Sequence, residues 1–342
     1  MQVGNLVLKR GAYKHDGIRG AGGGPIPAQN NKGSDKWFGG RGFCIEGYMP
    51  PGSPTTTNII QYLSIGVGGM SIDFGDGTHS GSNDGGNCTD GDSSNGYRIV
   101  YSPGYRSGPG NSSPVKQFFN ALVHSNAIDF GDMVTTSWPH GAATNGSRVM
   151  ESAGDYTNKN TEFFNIGTPA NAIQDSDQLQ AGGARSAMTD GSRGVFLGGR
   201  DGGGSFTNSM EYFQIQAAYS GTDFDELATS NYFFTTLSSS GGRGLVLGGG
   251  TQPNSQIKCF NLQNSAASFD FGELSTNQAA GAGATDGVRG HTSAALGSAG
   301  DWGSPTTNSV EYVNIYTRGN ATDYGEQIQD VNARQSRGSS GA

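Results

Sequence analysis

The densest set of oxygen ligands in the sequence is an Asp/Asn-rich stretch at residues 83–96. Its part from Asp90 to Gly96 offers carboxylate, hydroxyl and amide oxygens, which are the ligands that Ca²⁺ prefers. An EF-hand loop needs a bidentate Glu at its end, and this stretch has Tyr101 at that position. We therefore interpret the stretch as a solvent-exposed turn, with a calcium loop as the alternative, and we assign no metal ligand.

Histidine and cysteine, which carry much nucleophilic and metal chemistry, form no recognisable motif. The five histidines share no spacing with a nucleophile or a metal ligand. The three cysteines include no C-x-x-C pair, and Cys44 and Cys259 occupy positions that are apolar in other copies of the repeat described below. The sequence therefore predicts buried thiols, no enzyme activity, no cofactor and no zinc site.

Arginines and acids form the ordered polar set of the sequence. An Arg opens a short apolar segment at seven places: Arg41, Arg98, Arg148, Arg193, Arg243, Arg289 and Arg337. An acid precedes an aromatic residue at five related places: Asp73, Asp129, Asp223, Asp270 and Asp323. Because rings of like charge repel unless they are paired, this pattern predicts structural Arg–Asp ion pairs within or between the repeated units. An Arg-lined channel that binds anions is the alternative.

These residues recur with a period of about 49 residues, a length typical of propeller blades. The clearest copy contains four strand-like segments, at 193–199, 207–215, 221–227 and 232–237. A four-stranded unit cannot bury both of its faces alone, so consecutive units must stack on one another. Six copies of the middle segments therefore predict an all-β fold, a six-bladed β-propeller.

The two ends of the chain extend this prediction. Residues 333–342 correspond to the segment that precedes each Arg, so they should pair beside residues 41–47 and complete the first blade. The predicted division is an extended N-terminal arm at 1–32 and a propeller at 33–342. The arm has a strand-like segment containing Val3, Leu6 and Leu8. It packs on its own propeller in one interpretation and reaches a neighbouring subunit in the other.

The order of the segments resembles the kelch repeat. A strand ending in Gly-Gly is followed by Asn-x-x-Glu-Tyr and then by a turn with Phe or Tyr where kelch units commonly carry Trp. The Arg-Gly-Val-Phe, Asn-x-x-Glu-Tyr and Ala-Thr-Asp-Tyr-Gly segments also resemble those of structural proteins from tailed phages, especially cyanophages. This resemblance implies a non-enzymatic virion protein of the tail or capsid, assembled in the host cytoplasm and acting outside the cell. Its expected partners are other virion proteins and copies of itself, with host-surface contact as a further role.

Composition argues against two classes of partner. The net charge of −8 disfavours nucleic-acid binding, which calls for a basic surface. No apolar run approaches the 18 residues of a membrane span, so we expect no membrane insertion. The alternative function is a secreted lectin-like module that binds glycans through aromatic loops. The candidate interaction residues are Val3, Leu6 and Leu8 in the arm and Trp138 and Trp302 in such loops.

Overall fold

The structure, a computed structural model, describes residues 39–48, 56–81, 93–102, 114–135, 141–152, 157–183, 185–217, 219–228, 230, 234–239, 242–249, 254–265, 268–278, 281–293, 308–328 and 337–341. Every helix or strand in this part of the chain is a β-strand. In chain order the strands are β1 (Arg41–Tyr48), β2 (Thr56–Ser64), β3 (Ile72–Gly81), β4 (Arg98–Tyr101), β5 (Val115–Asn120), β6 (Ile128–Asp132), β7 (Ala142–Thr144), β8 (Arg148–Ser152), β9 (Asn160–Asn165), β10 (Ile173–Asp177), β11 (Ser186–Thr189), β12 (Arg193–Leu197), β13 (Ser209–Gln214), β14 (Thr222–Glu226), β15 (Thr235–Ser238), β16 (Arg243–Leu247), β17 (Asn254–Asn261), β18 (Phe269–Gln278), β19 (Ala282–Thr285), β20 (Arg289–Ser293), β21 (Ser309–Asn314), β22 (Thr322–Glu326) and β23 (Arg337–Gly341).

These strands form six sheets, and the predicted six-bladed β-propeller is confirmed. Blade 1 has the order β23–β1–β2–β3, and blade 2 contains β4, β5 and β6. Blades 3, 4, 5 and 6 use the four consecutive strands that begin at β7, β11, β15 and β19. The described innermost segment of blade 2 is a single bridge between Ser94 and Ile99. Contacts of β19 with β23, and of β23 with β4, connect the last blade to the first two.

The C-terminal strand closes the ring. Strand β23 pairs antiparallel with β1, from Arg41 opposite Gly341 to Ile45 opposite Arg337. The prediction that the C-terminal segment completes the first blade is therefore confirmed for residues 337–341. This pairing of strands from opposite ends of the chain keeps β1 from being the free inner edge of blade 1.

Burial decreases from the innermost strand of a blade to the outermost. In blade 4, β11 is buried along its whole length, whereas three of the five residues of β14 are exposed. The innermost strands carry small residues because they crowd together near the axis. The Thr236 hydroxyl, for example, donates a hydrogen bond to Ala187 O of the preceding blade over 2.8 Å.

Apolar side chains of neighbouring blades form a cluster at each of five interfaces. The cluster between blades 4 and 5 contains ten buried residues, including Phe224 and Phe260. Aromatic residues at one repeated strand position are partly buried at the edges of these clusters: Tyr62, Phe118, Phe163 and Tyr212. The residue after each of the last three contributes more to the core, since Phe119, Phe164 and Phe213 are buried.

Outer strands of neighbouring blades are joined by a repeated pair of hydrogen bonds. Between blades 1 and 2, Asp76 N donates to Asn126 Oδ1 over 3.0 Å, and Ala127 N donates to Asp76 O over 2.8 Å. The same pair recurs at Asp132, Asn171 and Ala172 and at Glu273, Asn320 and Ala321. Gly75 precedes Asp76 with φ +155°, and a Cβ there would overlap the backbone of Ser125. The glycine therefore permits the close approach of the next blade.

Candidate interaction surface

Five of the repeated arginines join their blade to the next. The Arg41 guanidinium lies 4.9 Å from the centre of the Tyr62 ring, and its Nη1 donates to Ala121 O of blade 2 over 2.7 Å. Ring stacking combined with a carbonyl acceptor suits a planar guanidinium. Equivalent hydrogen bonds to the following blade are made by Arg98, Arg193, Arg243 and Arg289, with Ile166 O, Gln263 O, Tyr316 O and Gly66 O as acceptors.

The prediction of Arg–Asp ion pairs is wrong for most of these arginines. The acids named for it are exposed on the outermost strands: Asp73, Asp129, Asp223, Asp270 and Asp323. They alternate with the inward-pointing aromatic residue, so they face solvent rather than the neighbouring arginine. Blade 3 is one exception, because Asp175 stands where other blades have the aromatic residue and lies 2.8 Å from Arg148 Nη2. Blade 6 is another, because Arg289 Nε lies 3.2 Å from Asp286 Oδ2, an acid outside the predicted set. The structural role predicted for the arginines holds, with a carbonyl as the usual partner.

A buried Glu or Gln in the third strand of five blades accepts hydrogen bonds from the preceding blade. The Glu162 carboxylate accepts from Val134 N over 2.9 Å and from Thr135 N over 2.7 Å. The other four residues of this kind are Gln61, Gln117, Glu211 and Glu311, which accept from Ile328 N, Thr78 N, Leu179 N and Ser275 N. Backbone N–H groups at or just after the end of an outermost strand thereby gain a hydrogen-bond acceptor in the neighbouring blade.

Two buried ion pairs add to this set. The Lys116 ammonium contacts the Glu151 carboxylate across blades 2 and 3, and the Arg185 guanidinium contacts the Glu211 carboxylate within blade 4. Burial raises the pKa of Glu211, against the opposing effects of Arg185 and of the Leu179 N–H group. Burial likewise lowers the pKa of Arg185. Removing one partner of such a pair would leave an unpaired buried charge.

Exposed apolar residues concentrate on one end of the ring, which we call the turn face. It carries the turns that connect the third and fourth strands of each blade. Blades 1 and 2 present six exposed apolar residues there: Val67, Met70, Ile72, Leu122, Val123 and Ile128. We call this set the blade 1–2 patch. Contiguous exposed apolar surface of this kind marks interaction sites more often than scattered single residues do.

Most of the residues predicted from sequence to interact lie outside the described part of the chain. This holds for Val3, Leu6, Leu8, Trp138 and Trp302, and for Asp90 and Asp92 of the predicted turn. Cys44 and Cys259 are described, and both side chains are buried, as predicted. Burial raises the pKa of the Cys259 thiol to about 11.

Sequence reasoning missed the acceptor role of the buried Glu and Gln residues. The signal was present, because Glu211 and Glu311 belong to the Asn-x-x-Glu-Tyr segment. The same strand position holds Gln61 and Gln117 in blades 1 and 2, so the acid does not recur in every copy. What is shared is an oxygen acceptor, and this is visible only when the neighbouring blade is in place.

No protein-family model matches the chain, and no curated protein matches it at a significant level. The kelch-like and phage-like interpretations of the repeat therefore stay predictions. In the described residues, no helix has the length and apolar character needed to cross a membrane.

Proposed function

We propose that the chain is a non-enzymatic structural protein of a phage virion, associated with the tail or the capsid. The propeller serves as a rigid platform for assembly, with host-surface contact as a further role. The kelch-like order of segments and the phage-like repeat motifs support the assignment to a virion. The partners in this proposal are other virion proteins and copies of the chain itself.

One observation carries the structural part of the proposal: the recurring polar side chains of the blades bind neighbouring blades. Arg41 and its equivalents donate to carbonyl groups across the interface, and Glu162 and its equivalents accept from backbone N–H groups. The Arg185–Glu211 pair is buried. Side chains committed in this way hold the ring together and are not free to bind a substrate, which favours a scaffold over an enzyme.

Exposed apolar surface supplies the second line of support. Outside the blade 1–2 patch, the turn face also exposes Ile173, Tyr219 and Phe269 of blades 3, 4 and 5. Assembly into a particle is one way in which a protein covers such a surface.

Fractionation of a lysate from the producing host tests the proposal. Tailed particles are separated on a density gradient and washed with salt, and their proteins are identified by mass spectrometry. We expect the chain in the particle fraction after washing. A chain absent from particles, monomeric in the soluble fraction and retained by a polysaccharide resin would contradict the proposal and favour the lectin-like alternative.

The arm provides a variant for the same test. Deleting residues 1–30 should leave a folded propeller that no longer enters particles. A matched control replaces Gly319, which has no atom within 4 Å of an added Cβ, with Ala. Normal incorporation of the deletion variant would show that attachment depends on the blades alone.

A further inference from the structure

The blade 1–2 patch departs from the repeat in its residue types. Val67 and Val123 occupy the same position of the turn in blades 1 and 2, and their side chains are 67% and 61% exposed. The residues at this position in the other blades are Thr168, Ala217, Asn264 and Thr317. An exposed valine has no packing role inside the blade. The departure therefore points to something that covers these two turns.

The turn of blade 2 packs against blade 1 beside the patch. The His124 ring, in the turn of blade 2, lies 4.9 Å from the Phe74 ring and 5.5 Å from the Tyr62 ring of blade 1. His124 follows Val123 directly in the chain, and Phe74 lies two residues after Ile72 in β3. The exposed residues of both turns thus border one surface.

The chain enters the propeller beside this surface. Gly40 O accepts a hydrogen bond from Ile65 N over 2.8 Å, at the turn-face end of blade 1. Val67 lies two residues further along from Ile65. Six residues separate the arm (1–32) from Gly39, and the seven steps from residue 32 to Gly39 span at most about 25 Å. The linker therefore tethers the arm to this end of blade 1.

Charge is distributed unequally between the arm and the rest of the chain. Residues 1–32 contain five of the 21 basic residues and one of the 29 acids, a net charge of +4. The remaining residues carry 16 basic residues and 28 acids, a net charge of −12. The patch itself is bordered by the exposed carboxylates of Asp73 and Asp129, which follow Ile72 and Ile128 directly. A segment that offers apolar and basic side chains together matches both properties of this surface.

We infer that the blade 1–2 patch is the docking site of the chain's own N-terminal arm, residues 1–32. Residues two apart share one side of an extended chain, so docking in that form would bring Leu6 and Leu8 together against the apolar residues of the patch, with the basic Lys9 and Arg10 following them in the sequence. Covalent attachment favours the arm of the same chain, because a short linker gives an effective concentration in the mM range. This inference stands independently of a virion location.

Trypsin cleavage of the arm in the full-length protein tests the inference. The arm offers cleavage sites at Lys9, Arg10, Lys14 and Arg19. Replacing both patch valines by the residue found at their position in blades 3 and 6, Val67→Thr and Val123→Thr, should accelerate cleavage at these sites by about tenfold or more. The matched control is Thr168→Ser with Thr317→Ser at the same turn position, and it should leave the rate unchanged. Equal melting temperatures establish that all variants are folded.

Two results would overturn the inference. An equal cleavage rate in the valine variant and the control would show that the arm does not use the patch. Protection that rises with protein concentration, with cross-links between isotopically heavy and light copies, would make the arm of a second copy the occupant. The inference requires that protection does not depend on protein concentration. It also requires that the cross-links form within one copy of the chain.

Discussion

The interface between blades 4 and 5 and the closing interface between blades 6 and 1 have the same strand geometry but different chemistry. Ten buried apolar residues fill the first. Among the described side chains, no such cluster joins blades 6 and 1. There, His291 of β20 packs directly on Gly42 of β1. The same strand position is apolar in the other five blades, where it holds Phe43, Val100, Met150, Val195 and Leu245.

This difference indicates how the ring divides its stabilising interactions. Apolar burial holds the interfaces between blades that are consecutive in sequence. Hydrogen bonds span the closing interface from Arg289 to Gly66 O, from Gly69 N to Tyr324 O over 2.9 Å and from Ile328 N to Gln61 Oε1 over 3.2 Å. The β1–β23 backbone ladder lies within blade 1 and joins the two ends of the chain there. The buried His291 imidazole, whose two nitrogens make no hydrogen bond, stands at this interface where the other blades have an apolar side chain. Because hydrophobic burial is the dominant favourable term in folding and an unpaired buried polar group is costly, we infer that the closing interface is the weakest of the ring.

Removing the closing strand should have the largest effect. A chain truncated after Asn332 loses β23 and leaves the buried backbone groups of Phe43 and Cys44 without their ladder partners. Each such group costs about 1–3 kcal/mol, so we expect a loss of about 5 kcal/mol or more in the free energy of unfolding. Urea unfolding followed by fluorescence measures it, with removal of Ala342 alone as the control. An unchanged midpoint would show that β23 does not close the ring.

A large-to-small change in the apolar interface comes next. Phe260→Ala should lower the free energy of unfolding by about 3–5 kcal/mol, because Phe260 is 1% exposed within the cluster of blades 4 and 5. Tyr219→Ala, at a side chain that is 70% exposed, serves as the control and should change stability by less than about 0.5 kcal/mol. Similar losses in the two variants would contradict the assignment of this cluster to the core.

Acid should weaken the closing interface through His291. Burial lowers the pKa of His291 from 6.5 to about 4. The folded protein therefore keeps the His291 imidazole neutral at pH values where the unfolded chain, below about pH 6.5, binds a proton there. The contribution of the neutral imidazole to the free energy of unfolding is therefore fully present above pH 6.5 and is lost as the pH falls to about 4. The loss amounts to about 3 kcal/mol at most.

The variant His291→Leu, which restores the residue type of blade 5, isolates this effect. Its free energy of unfolding, measured by urea titration between pH 7 and pH 4, should fall less steeply than that of the natural protein. Parallel pH profiles would exclude His291 as the source. The comparison also removes the contribution of other carboxylates and histidines, since the variant shares all of them.

The smallest expected effect concerns Gly42. A Cβ at this position would overlap the His291 imidazole, so Gly42→Ala should cost about 1–3 kcal/mol through overpacking. Combining it with His291→Ala should recover most of the loss, and a double-mutant cycle measures the coupling. Gly319→Ala, which meets no neighbouring atom, is the control. Additive losses at Gly42 and His291 would show that the two residues do not pack together.

The repeat made the fold predictable, because its period and the order of its strands recur even where the residue types differ between copies. Blade number and the C-terminal closing strand followed from that alone. The partner of Arg41 could not be predicted, because Ala121 O is a backbone carbonyl of another blade. Every residue has such a carbonyl, so the residue types do not single this one out. The acceptor role of Glu162 was hidden for the same reason. The blade 1–2 patch could have been found, since Val67 and Val123 break the pattern of their turn.

Hydrogen exchange of the full-length protein at pH 5, read by mass spectrometry, tests the central claim most directly. It compares the amides of β1, which pair with β23, with those of β16, which lie beside the apolar cluster of blades 4 and 5. We expect β1 to open with a smaller free energy than β16, and the difference to shrink in His291→Leu. Equal protection of the two strands, or faster exchange in β16, would contradict the claim that the ring closes at its weakest interface.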